Sequence, residues 1–496
     1  MSQQIQKIVI VGGGTAGWMA AAALSKHFEG RQVQIQLVES DDIGTVGVGE
    51  ATVPGIHEFN QYLNISELQF IKATQATFKL GIEFKDWFKK GHNFFHPFAD
   101  YGMPINDVGF YQCWLKMHKS GHDYNLEDFC LATQMAKQGR FSQTDPDTTT
   151  PLALYNYAYH FDASLYAKFL RDYAEKRGVI RREGKIITVN QNSSTGYIES
   201  VILADTQIIS GELFIDCSGF TGLLIDKVLK TEYVDWSKWL QCDRAIALQT
   251  ENVEDAMPYT TSTAMAAGWQ WKIPLQHRVG NGYVYSSNRI SDDEAIESLV
   301  NNVSGKKLTS PRVIKFTAGM RKDFFVKNCV ALGLASGFIE PLESTSISLI
   351  QTGITKLINY FPDLSFDPQK IAEVNSFNEM EYSRLRDFII LHYKANQRGV
   401  NDFWKELTEM DVPDTLQAKI EAFKEDGTLI NYELESFQNP SWLSMYNGFK
   451  IIPKNCASET NKLDIFQLQK MMEKMKVAIQ KGATYAPTQK EFLLQI

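Results

Sequence analysis

The chain has 496 residues, of which 44% are hydrophobic and 22% charged, and this is an ordinary globular composition. It excludes a disordered chain, a collagen and a coiled-coil rod. Lys and Arg number 50 and Asp and Glu number 58, so the net charge is −8, which argues against a nucleic-acid polymer as the main partner. At about 150 residues per domain, the length allows about three domains or one elaborated α/β unit.

Three further counts narrow the class of protein. Aromatic residues make up 12% of the chain, so a large core or a pocket for a flat ligand must use them. None of the six cysteines forms a CxxC pair and the two His-x3-His pairs lack a zincin partner, so we expect no metal site. Because neither a signal-peptide pattern nor about 18 consecutive apolar residues is found, we expect a cytoplasmic protein without a membrane segment.

The first forty residues predict a dinucleotide-binding βαβ unit. A short apolar strand at 7–11 is followed by an Ala-rich helix at 15–27 and by a strand at 33–38 that leads into Glu39. The glycines in the GxGxxG spacing between strand and helix are Gly12, Gly14 and Gly17. Such glycines let the backbone approach a pyrophosphate at the helix N-terminus, and an acid about 20 residues later binds ribose hydroxyls. This combination favours a Rossmann-type ADP site over a plain βαβ turn.

Two later segments favour FAD over a compact NAD domain. Residues 328–336 read as a strand entering a Gly-containing turn, and residues 215–219 read as a strand with small residues at its end. FAD-binding Rossmann proteins return to the flavin late in the chain in this manner. Near the end of the chain, Leu468, Met472, Met475 and Ile479 recur at helical spacing and predict a helix ending at Gly482.

Four segments together resemble the flavin-dependent halogenases of the tryptophan halogenase type. They are GGGTAGWMAA (12–21), GVGEATVP (47–54), GWQWKIP (268–274) and GFIEPLESTSI (337–347). FKLGIEF (78–84) and RDFIILHY (386–393) add support. The motif GWxWxIP is highly specific, whereas GxGxxG is not.

The resemblance implies an α/β protein with a Rossmann-type FAD-binding fold of the flavin monooxygenase kind, an added substrate-binding sheet and a mainly helical C-terminal region. We expect residues 1–365 to form the FAD-binding and halogenation body, with FAD-binding segments near 5–55, 180–222 and 325–365. We expect residues 366–496 to form a helical region that contributes to the substrate pocket.

The resemblance also implies the reaction and its participants. A separate flavin reductase supplies FADH2, and with O2 the enzyme converts chloride or bromide into hypohalous acid. The acid halogenates a small electron-rich aromatic substrate such as an indole. Neither a nucleic acid nor a membrane is implied as a partner, and the oligomeric state stays open, a homodimer being one option.

The cofactor and halide sites follow from the same resemblance. The FAD-binding positions are Gly12, Gly14, Thr15, Ala16, Gly17, Glu39, Gly49, Ala51, Ile186, Leu334 and Ile347. The halide is implied to lie at Thr345 and Ser346, at the start of a helix predicted over 346–361. Backbone N–H groups at a helix start form a natural anion pocket.

Lys79 and Glu343 are the catalytic residues that the resemblance implies. Phe78 and Leu80 flank Lys79, which suggests a partly buried lysine, the alternative being a surface lysine. Such a lysine could donate a hydrogen bond to hypohalous acid or, as the free amine, carry the halogen. Glu343 would stabilise the cationic ring intermediate and accept its proton. A helix-capping carboxylate is the alternative for Glu343, and Glu340 is its competitor for the role.

Two aromatic pairs complete the expected site. Trp269 and Trp271 alternate with polar residues, so both indoles face one side of a strand. The resemblance makes them a wall that keeps organic substrate off the flavin, and a core strand is the alternative. His96 and Phe98 resemble positions that sandwich the substrate, against the alternative of a packed core. The segment SWLSMYN (441–447) lacks a run of Tyr and Glu for amino-acid recognition, which argues against free tryptophan as the substrate.

Two rival functions remain open at this point. A single-component FAD monooxygenase would oxidise NAD(P)H itself, and the presence of GWQWKIP together with Lys79 argues against it. A flavin-binding protein without halogenation activity would need residues 12–39 but neither Lys79 nor Glu343.

Overall fold

The computed structural model describes residues 4–42, 49–144, 148, 150–399 and 401–496. The strands, in chain order, are β1 (Lys7–Val11), β2 (Gln34–Glu39), β3 (Gly49–Ala51), β4 (Thr77–Lys79), β5 (Gly81–Lys85), β6 (Asn93–Pro97), β7 (Ala158–Asp162), β8 (Ile180–Glu183), β9 (Ile186–Gln191), β10 (Ile198–Leu203), β11 (Ile208–Ser210), β12 (Leu213–Asp216), β13 (Tyr233–Asp235), β14 (Arg244–Thr250), β15 (Thr260–Met265), β16 (Gly268–Pro274), β17 (Val279–Tyr285), β18 (Arg312–Lys315), β19 (Gly319–Arg321), β20 (Phe325–Val326), β21 (Cys329–Ala331) and β22 (Gly337–Phe338).

The α-helices are α1 (Thr15–His27), α2 (Ile56–Tyr62), α3 (Glu67–Thr74), α4 (Phe110–Lys119), α5 (Leu131–Lys137), α6 (Ala163–Glu175), α7 (Asp292–Asn302), α8 (Ser346–Asn359), α9 (Pro368–Lys394), α10 (Asp402–Glu409), α11 (Asp414–Asp426), α12 (Asn439–Gly448), α13 (Ile465–Tyr485) and α14 (Gln489–Leu493).

Two compact units share the chain, and each is assembled from three separated segments. Unit 1 consists of Met1–Ala76, Phe161–Asp243 and Ile314–Ser383, and unit 2 consists of Thr77–His160, Arg244–Val313 and Arg384–Ile496. Because both units draw on early, middle and late segments, no single position along the sequence separates them. The expected division after residue 365 separates an FAD-binding body from a helical region and not two sets of contacting residues, and it stays a prediction.

The main sheet of unit 1 has the strand order β20-β21-β12-β1-β2-β8. Strands β21, β12, β1, β2 and β8 are parallel, and β20 is antiparallel to β21. The predicted strand Lys7–Val11 and helix Thr15–His27 are confirmed residue for residue, while the next strand begins at Gln34 and ends at Glu39. Helix α1 is buried from Gly17 to Ser25, because small apolar residues around its circumference allow close packing on several sides.

Both late segments enter this sheet, as the sequence predicts. Val11 of β1 lies opposite Asp216 of β12, and Asp216 lies opposite Ala331 of β21. Parallel strands covered on both faces consist of nearly continuous apolar runs, which is why these short segments could be read as strands. The unit therefore has the Rossmann-type arrangement that the sequence predicts.

A mixed sheet organises unit 2, with the strand order β18-β14-β17-β16-β15-β5-β6. Strand β16 carries the motif GWQWKIP and pairs antiparallel with β15 and β17. Next to it, β5 runs parallel to β15 and antiparallel to β6. Helix α7 covers one end of the sheet with an apolar cluster of Ile246, Leu248, Tyr283, Tyr285, Ala295 and Leu299.

The strand that carries Lys79 lies beside this sheet. In the antiparallel pair β4–β7, Thr77 stands opposite His160 and Lys79 stands opposite Ala158. Gly81 then starts β5, and a Cβ atom at this position would lie 2.2 Å from the carbonyl oxygen of His96. Only glycine permits that approach of two backbones, which explains the glycine in FKLGIEF.

From Pro368 onward the described elements are the helices α9 to α14, in agreement with the predicted helical C-terminal region. Helix α13 buries Leu468, Met472, Met475 and Ile479 as predicted, but it continues past Gly482 to Tyr485. Ala483 is also buried there, and the helix ends where Pro487 restricts the backbone of the residue before it. Among the described residues, no helix is both long and apolar enough to cross a membrane.

Candidate active site

The glycine loop after β1 is shaped by close contacts between backbones. Gly12 has a φ of +108°, and a Cβ there would lie 2.3 Å from the carbonyl oxygen of Cys217. A Cβ on Gly17 would lie 1.9 Å from the carbonyl oxygen of Gly12. Gly14 is the N-cap of α1 and offers no side-chain cap, so the N–H groups of the first turn, starting at Thr15, have no side-chain acceptor at that position. Such a loop can cradle a pyrophosphate.

The carboxylate of Glu39 lies directly over this loop. Its Oε2 atom is 1.5 Å from where a Cβ on Gly13 would stand, and it accepts a hydrogen bond of 3.3 Å from Nε1 of Trp18. Arg181 on β8 pairs with Glu39 and, at 2.7 Å, with Asp41. The acid predicted to bind ribose therefore stands beside the glycines, with Arg181, which the sequence analysis did not single out, balancing its charge.

The late turn of unit 1 returns to the same helix start. A Cβ on Gly333 would lie 2.8 Å from the Cβ of Ala16, so this turn touches the first turn of α1. Leu334 follows in the 3-10 turn Gly333–Ala335 and is half-buried, and Ile347 is buried in the first turn of α8. The turn that carries Leu334 therefore lies against the helix start that carries Ala16.

The remaining predicted FAD-binding residues lie on two other strands. Ile186 begins β9 and packs against an apolar cluster that includes Val201 and Leu203. Gly49 begins β3 and Ala51, which is buried, ends it. Gly47 and Val48 of the same motif lie outside the described residues.

Between Gly49 and Ala51 stands Glu50, which the sequence analysis did not single out. Its pKa is raised to about 7 by burial and, next, by the negative charge of Asp162. Asp162 caps α6 by accepting hydrogen bonds from the backbone N–H groups of Ser164 and Leu165. These bonds hold its carboxylate in place. Glu50 therefore changes charge near neutral pH.

Glu343 and the predicted halide residues lie at the start of α8. Pro341–Glu343 form a 3-10 turn, Ser344 has a left-handed φ of 62°, and α8 begins at Ser346. Glu343 is only 1% exposed and Thr345 only 2%. The Oγ1 atom of Thr345 is buried without a hydrogen-bond partner in the described part of the chain, and its side chain does not cap the helix. The N–H groups at this helix start therefore have no acceptor from the side chain of Thr345, and such groups can bind an anion.

The structure differs from the sequence prediction at the end of α8. Helix α8 ends at Asn359, two residues before the predicted end, and the ring of Phe361 instead packs edge-on against Phe28 at the end of α1, with 4.9 Å between centroids. Glu340, the competitor of Glu343, is also fully buried, so burial does not distinguish the two carboxylates.

Lys79 is 0% exposed. The sequence predicted a partly buried lysine from its apolar neighbours, and the structure buries it completely. Its Nζ atom lies 5.0 Å from the ring centroid of Phe98, within the range of a cation–π contact. Burying an ammonium group is unfavourable unless neighbours compensate, so a lysine at such a position indicates a chemical role more often than a surface lysine does.

The C-terminal helix α14 holds the strand of Lys79 in place. The backbone N–H of Phe78 donates to Oε1 of Gln489 at 2.8 Å, and Nε2 of Gln489 donates to the carbonyl oxygen of Ala256 at 2.7 Å. The ring of Phe78 stacks on Phe141 with 3.9 Å between centroids. Residues far apart in the sequence therefore fix the chain at Phe78, directly before the lysine.

His96 and Phe98 belong to a larger aromatic group in unit 2. Their ring centroids are 6.4 Å apart, and His96 also lies 5.9 Å from Phe388 and 6.0 Å from Phe437. Phe388 and Phe437 are stacked at 4.1 Å, and Trp442 meets Phe388 edge-on at 5.0 Å. The rings contact one another as an aromatic cluster, and the substrate role of His96 and Phe98 stays a prediction.

The two tryptophans of β16 lie side by side, as the alternation predicts. Their ring centroids are 6.0 Å apart. The ring of Trp271 covers Gly282, where a Cβ would stand 2.0 Å from it. Trp269 is 6.5 Å from Trp87, whose indole N–H donates to the Oγ of Ser262 at 3.1 Å. The pair therefore forms one rigid surface of buried indoles.

Sequence reasoning missed several residues around the lysine. Phe388 lies in the quoted segment RDFIILHY, but nothing in the pattern singles it out from its apolar neighbours. Phe437 and Gln489 carry no motif. His160 stands in a strand that is buried from Ala158 to Phe161, and its contacts appear only when β4 and β7 pair.

Comparison with known proteins assigns the family. The model of the tryptophan halogenase family matches residues 7–464. The tryptophan 6-halogenase SttH of Streptomyces toxytricini is 37% identical over 445 residues, which are 84% of each chain.

Solved structures agree with that assignment. BrvH, a flavin-dependent halogenase from Brevundimonas sp. BAL3, matches with a TM-score of 0.97 and 42% identity over 99% of this chain and 100% of that one. Xcc4156, a flavin-dependent halogenase from Xanthomonas campestris, matches with a TM-score of 0.95 and 44% identity over 99% and 98% of the two chains. The predicted Rossmann-type FAD-binding fold is thereby confirmed, and this chain belongs to the tryptophan halogenase family of flavin-dependent halogenases.

Proposed function

We propose that this enzyme uses FADH2 and O2 to chlorinate or brominate an electron-rich aromatic compound such as an indole, with Lys79 directing the hypohalous acid. The carrying observation is the complete burial of Lys79 beside an aromatic ring. A lysine that serves only solubility stays in water, whereas the ammonium of Lys79 lies beside the ring of Phe98. It is the group that can hydrogen-bond hypohalous acid and orient it toward a substrate ring.

The residues of unit 1 fit FAD. A Cβ would overlap other atoms at Gly12, Gly13 and Gly17, so the loop offers backbone where a pyrophosphate needs close approach. Glu39 would hold ribose hydroxyls, and Ala16 and Leu334 would line the cofactor. When bound as FADH2, supplied by a separate flavin reductase, the cofactor would reduce O2, and the reduced oxygen would oxidise the halide to hypohalous acid.

The start of α8 would hold the halide. The backbone N–H groups of Thr345 and Ser346 are donors at the positive end of a helix, which favours a monovalent anion. In the net reaction, an aromatic C–H and HOX give an aromatic C–X and water. Glu343, a buried carboxylate, would accept the proton that leaves the ring.

The aromatic group around His96 and Phe98 supports an aromatic substrate. Phe388 and Phe437 extend this group and would provide flat apolar surfaces for an indole. The segment around Trp442 contributes an indole to the same group and offers no cluster of Tyr and Glu for the ammonium and carboxylate of an amino acid. Indole itself is therefore the substrate to test first.

The decisive experiment compares Lys79→Met with the wild type. Purified enzyme, FAD, a flavin reductase with NADH, O2, bromide and indole are combined, and products are measured by mass spectrometry. We expect bromoindole from the wild type and a loss of about 100-fold or more in Lys79→Met, with unchanged FAD affinity. The matched control is Lys85→Met, because Lys85 has a 40% exposed side chain paired with Glu83, and it should keep full activity.

Three outcomes would contradict the proposal. Halogenation that persists in Lys79→Met would remove the lysine from the mechanism. A hydroxylated product formed with NADPH alone would identify a single-component monooxygenase. No product across a varied panel of aromatic compounds, with FAD still bound, would identify a flavin-binding protein without halogenation activity.

A further inference from the structure

A buried histidine shares one face of the β4–β7 pair with Lys79. His160 stands directly opposite Thr77, two residues before Lys79. Residues opposite each other across an antiparallel pair, and residues two apart along a strand, point to the same side. Thr77, Lys79 and His160 therefore share one side of the pair, and His160 is 0% exposed.

Both ring nitrogens of His160 meet threonine hydroxyls. Nδ1 lies 3.1 Å from Oγ1 of Thr77, and Nε2 lies 2.9 Å from Oγ1 of Thr260. The hydroxyl of Thr77 donates its single hydrogen to the carbonyl oxygen of Pro274 at 2.6 Å, so it must accept one from Nδ1–H of His160. With Nδ1 protonated, the ring is neutral when Nε2 accepts the hydroxyl hydrogen of Thr260 and charged when Nε2 donates to that hydroxyl.

The electrostatic surroundings agree with a neutral ring. Burial, and then the positive charge of Lys79, hold the pKa of His160 well below 6.5. A second cation beside the lysine would repel it in a low-dielectric interior. The neutral imidazole therefore leaves the ammonium of Lys79 without a like-charged neighbour at this position.

These bonds connect three parts of unit 2. Thr77 begins the strand of Lys79, Pro274 ends the GWQWKIP strand β16, and Thr260 begins β15. We propose that His160 is a positioning residue for Lys79: through the hydroxyls of Thr77 and Thr260, its imidazole holds the lysine strand against the ends of β15 and β16. This inference rests on the proposed function of Lys79 in halogenation.

The test variants separate the hydrogen bonds from the volume of the ring. His160→Leu fills similar space and removes both bonds. His160→Asn can place a side-chain N–H close to the position of Nδ1–H and so keep the bond to Thr77. Thr77→Val removes one hydroxyl with almost no change in shape, which keeps the proposal testable should His160→Leu fail to fold. Thr263→Val on β15 is the matched control for threonine replacement.

The measured quantities are kcat and KM for indole bromination, FAD affinity, and the fraction of hypobromous acid captured by an added scavenger. In His160→Leu we expect kcat to fall about 100-fold, the size known for small misplacements of a reacting group, with KM and FAD affinity within about threefold of the wild type. The captured fraction of hypobromous acid should rise, because a displaced lysine no longer directs it. His160→Asn should recover at least about tenfold, Thr77→Val should lose about tenfold, and Thr263→Val should match the wild type.

Two results would overturn the proposal. One is a wild-type kcat in both His160→Leu and Thr77→Val, and the other is a parallel loss of kcat and FAD affinity without extra capture of hypobromous acid. The Lys79→Met variant keeps the two proposals distinguishable. If it is inactive while His160→Leu is fully active, only the positioning role is wrong, and if it is active, the proposed function itself is wrong.

Discussion

The glycine loop of unit 1 and the lysine strand of unit 2 are built in opposite ways. The loop presents backbone atoms, and its residue types follow from what a Cβ would strike at Gly12 and Gly17. The lysine strand presents the buried side chain of Lys79, and the strand itself is held at Phe78 by the side chain of Gln489, 411 positions away in the sequence. A site made of backbone depends on the absence of side chains, whereas a site made of side chains depends on distant neighbours.

The two regions therefore differ in what damages them. Adding a methyl group to one of the loop glycines should disrupt the loop. At a site that uses backbone N–H groups, as is proposed for the halide at the start of α8, changing a side chain should have little effect. In the lysine region, removing a hydrogen-bond partner should matter even where that partner touches neither substrate nor cofactor. Titration differs as well, because the pKa of Glu50 in unit 1 is raised and the pKa of His160 in unit 2 is lowered.

The largest effect is expected from Gly12→Ala. The new Cβ would meet the carbonyl oxygen of Cys217 at a φ of +108°, so the loop must move and FAD affinity should fall by about 100-fold, which corresponds to about 2.7 kcal/mol. The measurement is a titration of flavin fluorescence. Gly30→Ala is the control in the same unit, because Gly30 also has a positive φ but nothing lies within 4 Å. Equal FAD affinities in the two variants would contradict the backbone-contact explanation.

A smaller effect is expected from Gln489→Ala in the lysine region. It leaves the N–H of Phe78 and the carbonyl oxygen of Ala256 without their partner, and each unsatisfied buried group costs about 1–3 kcal/mol. Urea unfolding should report the lost stability, and halogenation kcat should fall with FAD affinity unchanged. Gln489→Glu retains the acceptor for Phe78 and should lose less activity. An unchanged kcat in Gln489→Ala would show that this bond does not position the lysine strand.

The pH dependence of stability should separate the two units. The pKa of Glu50 rises from 4.5 to about 7 on folding, so its stabilising contribution is full below pH 4.5 and is lost as pH rises through 7. Glu50→Gln should abolish that loss. His160 acts in the opposite direction: its folded pKa lies below 6.5, so stability falls as pH drops below 6.5, and His160→Asn should reduce this fall.

Urea unfolding between about pH 5 and 8 provides the measurement. Each variant serves as the control for the other, because the two groups change the unfolding free energy with pH in opposite directions. Each substitution should remove only the contribution of its own group. A Glu50→Gln variant with the slope of the wild type would show that this carboxyl does not titrate as its burial indicates.

The smallest effect is expected from Ser346→Ala. If the halide is held by the backbone N–H groups at the start of α8, loss of the hydroxyl should change the KM for bromide by less than about twofold. Steady-state bromination at varied bromide provides the measurement, with Thr345→Val as the companion variant. A large rise in KM for Ser346→Ala would show that the halide depends on a side chain.

The dinucleotide unit could be predicted from the sequence because its information is local. Strand, glycines, helix and acid fall within 39 residues, and β1 and α1 have the predicted bounds. The late return to this site was also readable, since apolar strands ending in small residues stand out at 215–219 and 328–336. The predicted end of α8 lay two residues too late because Pro362 disfavours a helical backbone at Phe361, and Phe361 packs on Phe28 instead.

The lysine region was only partly predictable. Lys79, His96 and Phe98 were marked by motif resemblance, but Phe388, Phe437 and Gln489 come from segments without a distinguishing pattern. The division into units was likewise invisible, because each unit interleaves three segments. Pairing between distant strands, and not local propensity, decides both features.

By itself, the sequence determined the βαβ loop, the periodic helices and the identities of the motif residues, because these depend on backbone sterics and on patterns within a few turns. Only the tertiary structure decided that Lys79 is completely buried, that Glu39 stands over Gly13 and that His160 meets two threonines. Burial and hydrogen bonding of a side chain depend on which distant segments pack against it, and that information becomes available only when the chain has folded.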